Sequence, residues 1–307
     1  MGIYGRRRAV AAAGLAGALL LFVLIVKAVA GCGGGGTATT AKAPPIPQLP
    51  RGGTQILPRF RVVAYYGAPQ DAQLGILGIG SPSTAAHKLV TQAQRYRVLG
   101  KPVLPAMELL ADVADHAPGD SGQYRTRQPD AIIARYLKAA RRAHALLVLD
   151  IQPGYSDFLS ETMHLRKWLA QPDVSLALDP EWHLHAPDIP GQVIGSVDAV
   201  EINAVSFWLD RLTADRHLPQ KLLLIHRFTP GMIKNGFRIK HRRHLAIAIN
   251  VDGFGNRAVK IAKYDEFAKL ARGFYNGFKL FFHEDTNILR PRDIGKVRPL
   301  PDVIVYE

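Results

Sequence analysis

Residues 174–182 read Val-Ser-Leu-Ala-Leu-Asp-Pro-Glu-Trp. The first five residues form a short apolar run that is typical of a buried strand, and two carboxylates follow almost at once. Side chains on an extended chain alternate between two faces, so Asp179 and Glu181 should point the same way. The stretch therefore predicts a strand that brings two acids and an aromatic residue, Trp182, to one end of a sheet.

The same arrangement recurs along the chain, because other apolar runs also end in polar or ionisable residues. These residues are Glu108, Asp150, His226, Asp252 and the group His283, Glu284 and Asp285. Helix-like segments separate the runs, and continuous apolar runs are typical of parallel strands buried on both faces. The rhythm predicts an α/β fold, a single-domain (β/α)8 TIM-type barrel, in which the carboxyl ends of the strands build one functional face.

The two ends of the predicted barrel complete the count of strands. The first strand is expected at residues 61–67 and the eighth at residues 302–306, where it would lie beside the first and close the sheet. The second strand is expected to end at Glu108 and the seventh to span residues 278–282. The fourth helix follows a Pro-rich loop, and Ser196 is its expected N-terminal cap.

Three parts are expected along the chain. Residues 1–31 are predicted to be a signal peptide, since three arginines precede an apolar stretch and small residues then precede Cys32. This order resembles the signal peptides of bacterial lipoproteins, which implies acylation of Cys32 after cleavage. Residues 32–58 are rich in Gly, Thr and Pro and predict a flexible tether. Residues 59–307 form the barrel domain.

An uncleaved membrane anchor is the alternative for the leader, because its apolar run is about as long as a short spanning helix. Both interpretations place the barrel outside the cytoplasm at the cell membrane, by the positive-inside rule. The membrane, reached through the lipid or the helix, is therefore one predicted partner.

Composition limits the classes of function. The chain has 307 residues, of which 48% are hydrophobic and 21% charged, as in globular proteins. A single cysteine excludes an intrachain disulfide and a thiolate metal cluster. The net charge of +14 favours contact with anionic envelope polymers. The densest basic cluster, at residues 240–244, lacks interleaved aromatic residues, so nucleic acid is not an expected partner.

Paired carboxylates are what glycoside hydrolysis needs, one protonated to assist the leaving oxygen and one ionised to attack the sugar or activate water. Glu181 after the fourth strand and Glu284 after the seventh resemble the large glycoside-hydrolase barrel clan, whose acid/base and nucleophile occupy those places. That clan has Asn-Glu at the fourth strand. Asp179-Pro180-Glu181 is instead similar to barrel hydrolases of the chitinase and muramidase type, in which a neighbouring Asp orients the acid.

The resemblance implies roles for the residues at the barrel mouth. Glu181 would be the general acid/base, Asp179 the residue that tunes it, and Glu284 the nucleophile or second base. The residues expected to contact the substrate are Glu108, Asp150, His226, Asp252, Tyr66 and Trp182. The expected function is a glycoside hydrolase-like surface lipoprotein that acts on cell-envelope or environmental glycans.

A second resemblance covers the whole chain. The segments Leu-Asp-Pro-Glu-Trp at 178–182, Val-Asp-Gly-Phe-Gly at 251–255 and Glu-Asp-Thr at 284–286 are similar to segments of a family of actinobacterial lipoproteins. This resemblance implies a surface lipoprotein and does not imply a particular reaction.

Two other functions stay open at this point. One is a glycan-binding surface protein on the same barrel that has no catalytic activity. The other is a metal-dependent hydrolase, whose donors would come from His183, His185, His226, Asp252, His283 and Asp285. The first strand ends in Tyr65-Tyr66 rather than in a His-x-His pair, so no resident metal or cofactor is predicted.

Overall fold

The computed structural model describes residues 45–69, 71–270 and 273–307, and within them eight parallel strands form a closed barrel. Each strand pairs with the next along the chain, and the eighth pairs with the first. The predicted (β/α)8 barrel is confirmed. The strands are β1 Arg61–Gly67, β2 Val103–Ala114, β3 Leu146–Ile151, β4 Val174–Leu178, β5 Lys221–Arg227, β6 Leu245–Val251, β7 Tyr275–Leu280 and β8 Val303–Tyr306.

Helices cover the outside of the barrel between the strands. They are α1 Pro82–Gln94, α2 Asp130–Arg142, α3 Phe158–His164, α4 Arg166–Leu169, α5 Ala199–Asp215, α6 Arg257–Leu270 and α7 Pro291–Ile294. After β5 the connection contains two short 3-10 turns, at 230–232 and 236–238, with the strand Ile233–Lys234 between them, which pairs in parallel with Val197–Asp198. The cap of α5 is Asp198, whose side chain accepts a hydrogen bond from the Val200 N–H, so the expectation of Ser196 is wrong.

Two strand boundaries differ from the prediction. β2 continues past Glu108 to Ala114, because its end pairs antiparallel with a short strand at 125–127. β7 begins at Tyr275 and ends at Leu280 rather than at residue 282. As a result, Glu108 lies inside the barrel instead of at its rim, and residues 283–285 lie beyond the seventh strand.

Alternate side chains of the strands fill the barrel interior. The inner apolar set is dominated by Val, Leu and small Ala side chains: Val62, Ala64, Leu104, Ala106, Leu146, Val148, Ala177, Leu222, Leu224, Ala246, Ala248, Val303 and Val305. The intervening residues, such as Leu147 and Ile225, pack outward against the helices. Each buried Val or Leu contributes about 1.5–3 kcal/mol. Polar side chains replace the apolar ones towards the carboxyl ends of the strands.

The end of the predicted tether belongs to the folded barrel. Leu49, Ile56 and Leu57 are buried and join the inner core at the amino end of the strands. Gln220 Oε1 accepts hydrogen bonds from the N–H groups of Ile56 and Leu57, at 2.8 and 3.0 Å. The folded domain therefore begins before the boundary predicted at residue 58, because burial of these three apolar side chains stabilises a segment that its Gly and Pro content predicted to be flexible.

The leader and the predicted lipidation site, Cys32, lie outside the described residues. None of the helices in the described ranges combines the length and the apolarity that a membrane span requires.

Candidate active site

A layer of polar side chains lies inside the barrel at the carboxyl ends of the strands. Most strands direct two apolar side chains into the barrel, and the next inward-facing position on each strand carries a polar residue. The layer consists of Tyr66, Glu108, Asp150, Asp179, His226, Asn250 and Lys279, with Asp252 and Glu307 just beyond β6 and β8. In such barrels the carboxyl ends of the strands are where catalytic residues occur.

His226 connects two carboxylates across the barrel. Its Nδ1 lies 2.7 Å from Asp252 Oδ2, and its Nε2 lies 2.9 Å from Glu108 Oε1. Burial acts to lower the pKa of His226, but Asp252 and Glu108 outweigh it, so the pKa is raised well above its usual value. Asn250 Nδ2 donates to the other oxygen of Asp252 at 2.7 Å, which fixes the carboxylate in place.

Lys279 supplies a second buried positive charge. Its Nζ lies 2.7 Å from Glu307 Oε2 and 3.6 Å from Asp252 Oδ2, and it sits 3.6 Å from the centre of the Tyr66 ring. Burial acts to lower the pKa of Lys279, but Glu307 and Asp252 raise it well above the usual value. Burial also acts to raise the pKa of Asp252, yet His226 and Lys279 lower it. Asp252 is therefore ionised between two cations.

Asp179 and Glu181 follow β4 on a tight turn. Pro180 opens a 3-10 turn at 180–182, and the Trp182 N–H donates to the Asp179 carbonyl at 3.2 Å. The next loop closes on this turn, since the Gly195 N–H donates to the Glu181 carbonyl at 2.6 Å. A Cβ at Gly195 would lie 2.3 Å from the His183 carbonyl oxygen, so only glycine permits this approach.

The two carboxyls of this turn have different proton affinities. Burial raises the pKa of Asp179 to about 6, although the positive charges of His226 and Lys279 partly oppose the shift. Burial, together with the charge of Asp179, raises the pKa of Glu181 to about 9. At neutral pH Glu181 therefore holds a proton while Asp179 is mostly ionised, which is the division of labour that acid/base hydrolysis requires.

A cavity of about 230 Å³ opens above this layer. Ionisable side chains of Glu181, Asp252, Lys279 and Glu307 reach it. The rest of its wall is mainly aromatic and amide, from Tyr66, Gln152, Trp182, Phe228, Phe254 and Phe281, with Leu74, Leu110 and Gly253. Gln152 Nε2 donates to the Tyr66 hydroxyl at 3.2 Å and more weakly to Asp179 Oδ2 at 3.5 Å, which links Asp179 to the wall.

The structure brings together some of the predicted site residues. Glu181, Asp252, Tyr66 and Trp182 line the cavity, and Asp179 lies directly behind it. Three residues expected to contact the substrate lie deeper, fully buried and outside the cavity wall: Glu108, Asp150 and His226. Their place inside the barrel follows from β2, β3 and β5, which carry them below the rim, so a ligand in this cavity does not reach them.

Glu284 is not brought to the cavity. It is exposed on the turn after β7 and lines a separate cavity of about 480 Å³ with His283. The inward position of β7 is occupied by Lys279 instead. The expected pairing of Glu181 with Glu284 as two catalytic carboxylates is therefore corrected, because the strand ends two residues earlier than the apolar run suggests.

Asp285, from the same turn, holds neighbouring loops together. Its Oδ1 accepts from the Gly255 N–H at 3.1 Å and its Oδ2 from the Phe281 N–H at 2.9 Å, while Lys260 lies 3.3 Å from Oδ2. These contacts join the loops after β6 and β7. Asp285 therefore shapes the wall of the cavity without facing it.

Sequence reasoning missed Lys279, Asn250, Gln152 and Glu307. The available signal was the parity of each strand, because Lys279 and Asn250 interrupt apolar runs at positions that face inward. Gln152 lies two residues after Asp150, and Glu307 two residues after the inward-facing Val305, in the same alternation.

The histidines expected for a metal-dependent hydrolase are not gathered into one centre. His183 Nδ1 lies 2.9 Å from the Ser196 carbonyl oxygen, so the loop backbone holds it. A different set, Glu108, Asp150 and His226, places one potential ligand atom from each residue within 4.8 Å of the others.

Comparisons with known proteins add the following. No protein-family model matches the chain, and no curated protein matches it. Among solved structures, the chain is similar to 2,3-dimethylmalate lyase, a PEP mutase/isocitrate lyase superfamily member, with a TM-score of 0.47 and 10% identity over 80% of this chain and 75% of that one. It is also similar to 5-methylcytosine deaminase from Klebsiella pneumoniae, with a TM-score of 0.32 and 9% identity over 75% of this chain and 53% of that one. Neither likeness bears on the reaction.

Proposed function

We propose that this chain is a glycoside hydrolase-like enzyme in which Glu181 donates a proton to the leaving oxygen and Asp179 tunes it. The observation that carries the proposal is the Asp179–Glu181 pair at the cavity, whose pKa values are raised to about 6 and about 9. Two carboxyls with separated pKa values in one site are the usual basis of acid/base assignments.

The proposed reaction uses the pair as a unit. Glu181 protonates the glycosidic oxygen as its bond to the anomeric carbon breaks. The negative charge of Asp179 stabilises the positive charge that develops on the sugar, and water then adds to the anomeric carbon. The proton that this water loses returns to the pair, which restores Glu181 to its protonated state.

The cavity supports a small sugar unit as the group that is bound. A volume of about 230 Å³ is below the roughly 300–1,000 Å³ of pockets for drug-sized ligands. Trp182 and Tyr66 offer aromatic surface, and Lys279 and Asp252 offer charged hydrogen-bonding partners for hydroxyl groups. We therefore propose that a single ring of a cell-envelope or environmental glycan enters the cavity.

The test compares two glutamates on the same barrel. Purified chain is assayed on a panel of 4-methylumbelliferyl monosaccharides and on bacterial cell-wall glycans. Glu181→Gln is expected to lower kcat by about 10²–10⁴-fold, the usual contribution of a general acid. Glu284→Gln is the matched control and should retain activity, since Glu284 lies outside the cavity.

Two results would contradict the proposal. Equal turnover by the wild type and Glu181→Gln would remove the catalytic role of Glu181. Glycan binding without turnover in the wild type would instead support the non-catalytic binding protein.

The pH dependence of activity follows from the same two groups. Activity should fall below about pH 6, where Asp179 becomes protonated, and above about pH 9, where Glu181 loses the proton it donates. The expected profile of kcat/KM is therefore a bell between these limits. A profile that rises continuously through pH 10 would exclude Glu181 as the acid.

We also propose that the barrel is held at the outer face of the cell membrane through Cys32. The support is the order of basic, apolar and small residues before the sole cysteine. Labelling with a fatty-acid analogue should mark the wild type and not Cys32→Ser. Equal labelling of both would exclude Cys32 as the acylated residue. Labelling of neither, with the leader retained, would favour the uncleaved anchor.

A further inference from the structure

We propose that Glu108, Asp150 and His226 form a binding site for one divalent transition-metal ion in the barrel interior, behind the wall of the cavity. The three side chains come from β2, β3 and β5 and are fully buried. None of them lines the cavity, so this site is distinct from the proposed proton donor, and the proposal does not depend on the hydrolase function.

The distances suit a shared ion. His226 Nε2 lies 2.9 Å from Glu108 Oε1 and 3.8 Å from Asp150 Oδ2, and the three ligand atoms all lie within 4.8 Å of one another. Nitrogen and carboxylate ligands bind Zn²⁺ at about 2.0–2.2 Å, so two ligands of one ion are separated by no more than about 4.4 Å. Both measured histidine distances lie inside that limit.

Two of the three residues have buried oxygens without a hydrogen-bond partner. Both carboxylate oxygens of Asp150 and the Oε2 of Glu108 are buried and have no hydrogen-bond partner within the described part of the chain. A buried polar atom without a partner costs about 1–3 kcal/mol. A cation between Asp150, Glu108 and His226 satisfies these oxygens together.

The surroundings of His226 match those of a metal ligand. Asp252 lies 2.7 Å from Nδ1, and Asn250 in turn holds Asp252 at 2.7 Å. A carboxylate on one ring nitrogen fixes the tautomer that presents the other nitrogen to a metal. The ion would take the place of a proton on Nε2, between Glu108 and Asp150.

The charge of the layer favours a dication. Six carboxyl groups (Glu108, Asp150, Asp179, Glu181, Asp252 and Glu307) surround the two basic groups Lys279 and His226. Burial raises the pKa of Asp150 and of Glu181, and with both of these protonated four carboxylates still face two bases. One imidazole nitrogen with two carboxylates suits Zn²⁺ or Mn²⁺. Ca²⁺ is less suited, since it takes six to eight oxygen ligands.

The test measures metal bound per chain. Chelator-treated full-length protein is dialysed against ZnCl₂ or MnCl₂, and the bound metal is measured by mass spectrometry. The wild type should retain about one ion per chain, and Asp150→Asn should weaken the affinity at least tenfold. Asp112→Asn is the matched control and should bind like the wild type. Asp112 is equally buried with both oxygens unpartnered, but it lies outside the trio.

Clear outcomes overturn the proposal. It fails if the wild type retains no metal, or if Asp150→Asn binds as tightly as the wild type. If Asp150→Asn does not fold, crystals of the wild type grown with ZnCl₂ decide the matter. An anomalous peak within about 2.0–2.2 Å of the three ligand atoms supports the site. A peak only at exposed histidines, or a water in this position, rejects it.

Discussion

The two ends of the barrel differ in how their buried charged side chains are paired. At the amino end, Lys221 is fully buried, and its Nζ donates to the carbonyls of Gln171 and Val174 at 2.8 and 2.7 Å. Arg61, also buried there, donates to the carbonyl of Pro301 at 3.0 Å. At the carboxyl end, several buried oxygens lack hydrogen-bond partners among the described residues, namely Glu108 Oε2, Asp150 Oδ1 and Oδ2, Asp179 Oδ1 and Asn250 Oδ1.

This difference distinguishes buried side chains that stabilise the fold from buried side chains that are available for binding or catalysis. Buried polar groups in native proteins are normally satisfied, and the exceptions ask for an explanation in a ligand, an ion or a reaction. The cations at the amino end tie strands and loops together through backbone carbonyls. The acids at the carboxyl end are kept together, partly unsatisfied, around a cavity, which is what a catalytic or binding layer requires.

The largest expected effect on stability comes from Lys279→Met. Lys279 is the buried partner of Glu307 and Asp252, so its loss leaves Glu307 without its nearest cation and removes one of the two cations beside Asp252. Removing one member of a buried ion pair costs about 3–5 kcal/mol. Urea unfolding at pH 7 should show this loss in the free energy of unfolding. A change below about 1 kcal/mol in the free energy of unfolding would mean that Lys279 does not stabilise the carboxylates at the carboxyl end.

A smaller effect is expected from Lys221→Met at the other end. The substitution leaves the carbonyls of Gln171 and Val174 without the lysine donor, at a cost of about 1–3 kcal/mol. Because burial lowers the pKa of Lys221 to about 7, loss of its charge is less disruptive than loss of Lys279. Once a substrate is known, kcat/KM of Lys221→Met should equal that of the wild type. A large fall in kcat/KM would show that Lys221 affects catalysis and not only stability.

The smallest effect is expected from Glu284→Gln. Glu284 is exposed on the turn after β7, and surface substitutions usually change the free energy of unfolding by less than about 0.5 kcal/mol. The measurement is the same urea titration. A loss above 1 kcal/mol would show that this glutamate takes part in the carboxyl-end network.

Much of the fold and part of the candidate active site could be predicted from the sequence. The apolar runs predicted the closed barrel, because parallel strands that are buried on both faces have nearly continuous apolar sequences. Tyr66 and Asp179 were found because strand alternation directs them into the barrel. Glu181 and Trp182 were found because they follow β4 directly, although the 3-10 turn at 180–182, and not alternation, sets their direction.

The remainder depended on packing that the pattern does not contain. Lys279 stands alone in an apolar run, and its burial is tolerated only because Glu307 and Asp252 lie beside it. Glu284 was misplaced because an aromatic run continues past the end of β7. The core contacts of Leu49 were hidden in a Pro- and Gly-rich segment, since local composition does not reveal which side chains find a core.

The different protonation states of Asp179 and Glu181, two carboxyls on one turn, can be tested by carbon NMR without a substrate. The side-chain carboxyl carbons of labelled chain are titrated, and the Glu181 signal is identified by its loss in Glu181→Gln. This signal should titrate near pH 9 and move to lower pH in Asp179→Asn, because the charge of Asp179 raises the Glu181 pKa. A midpoint near the ordinary 4.5, unmoved by Asp179→Asn, would contradict this expectation.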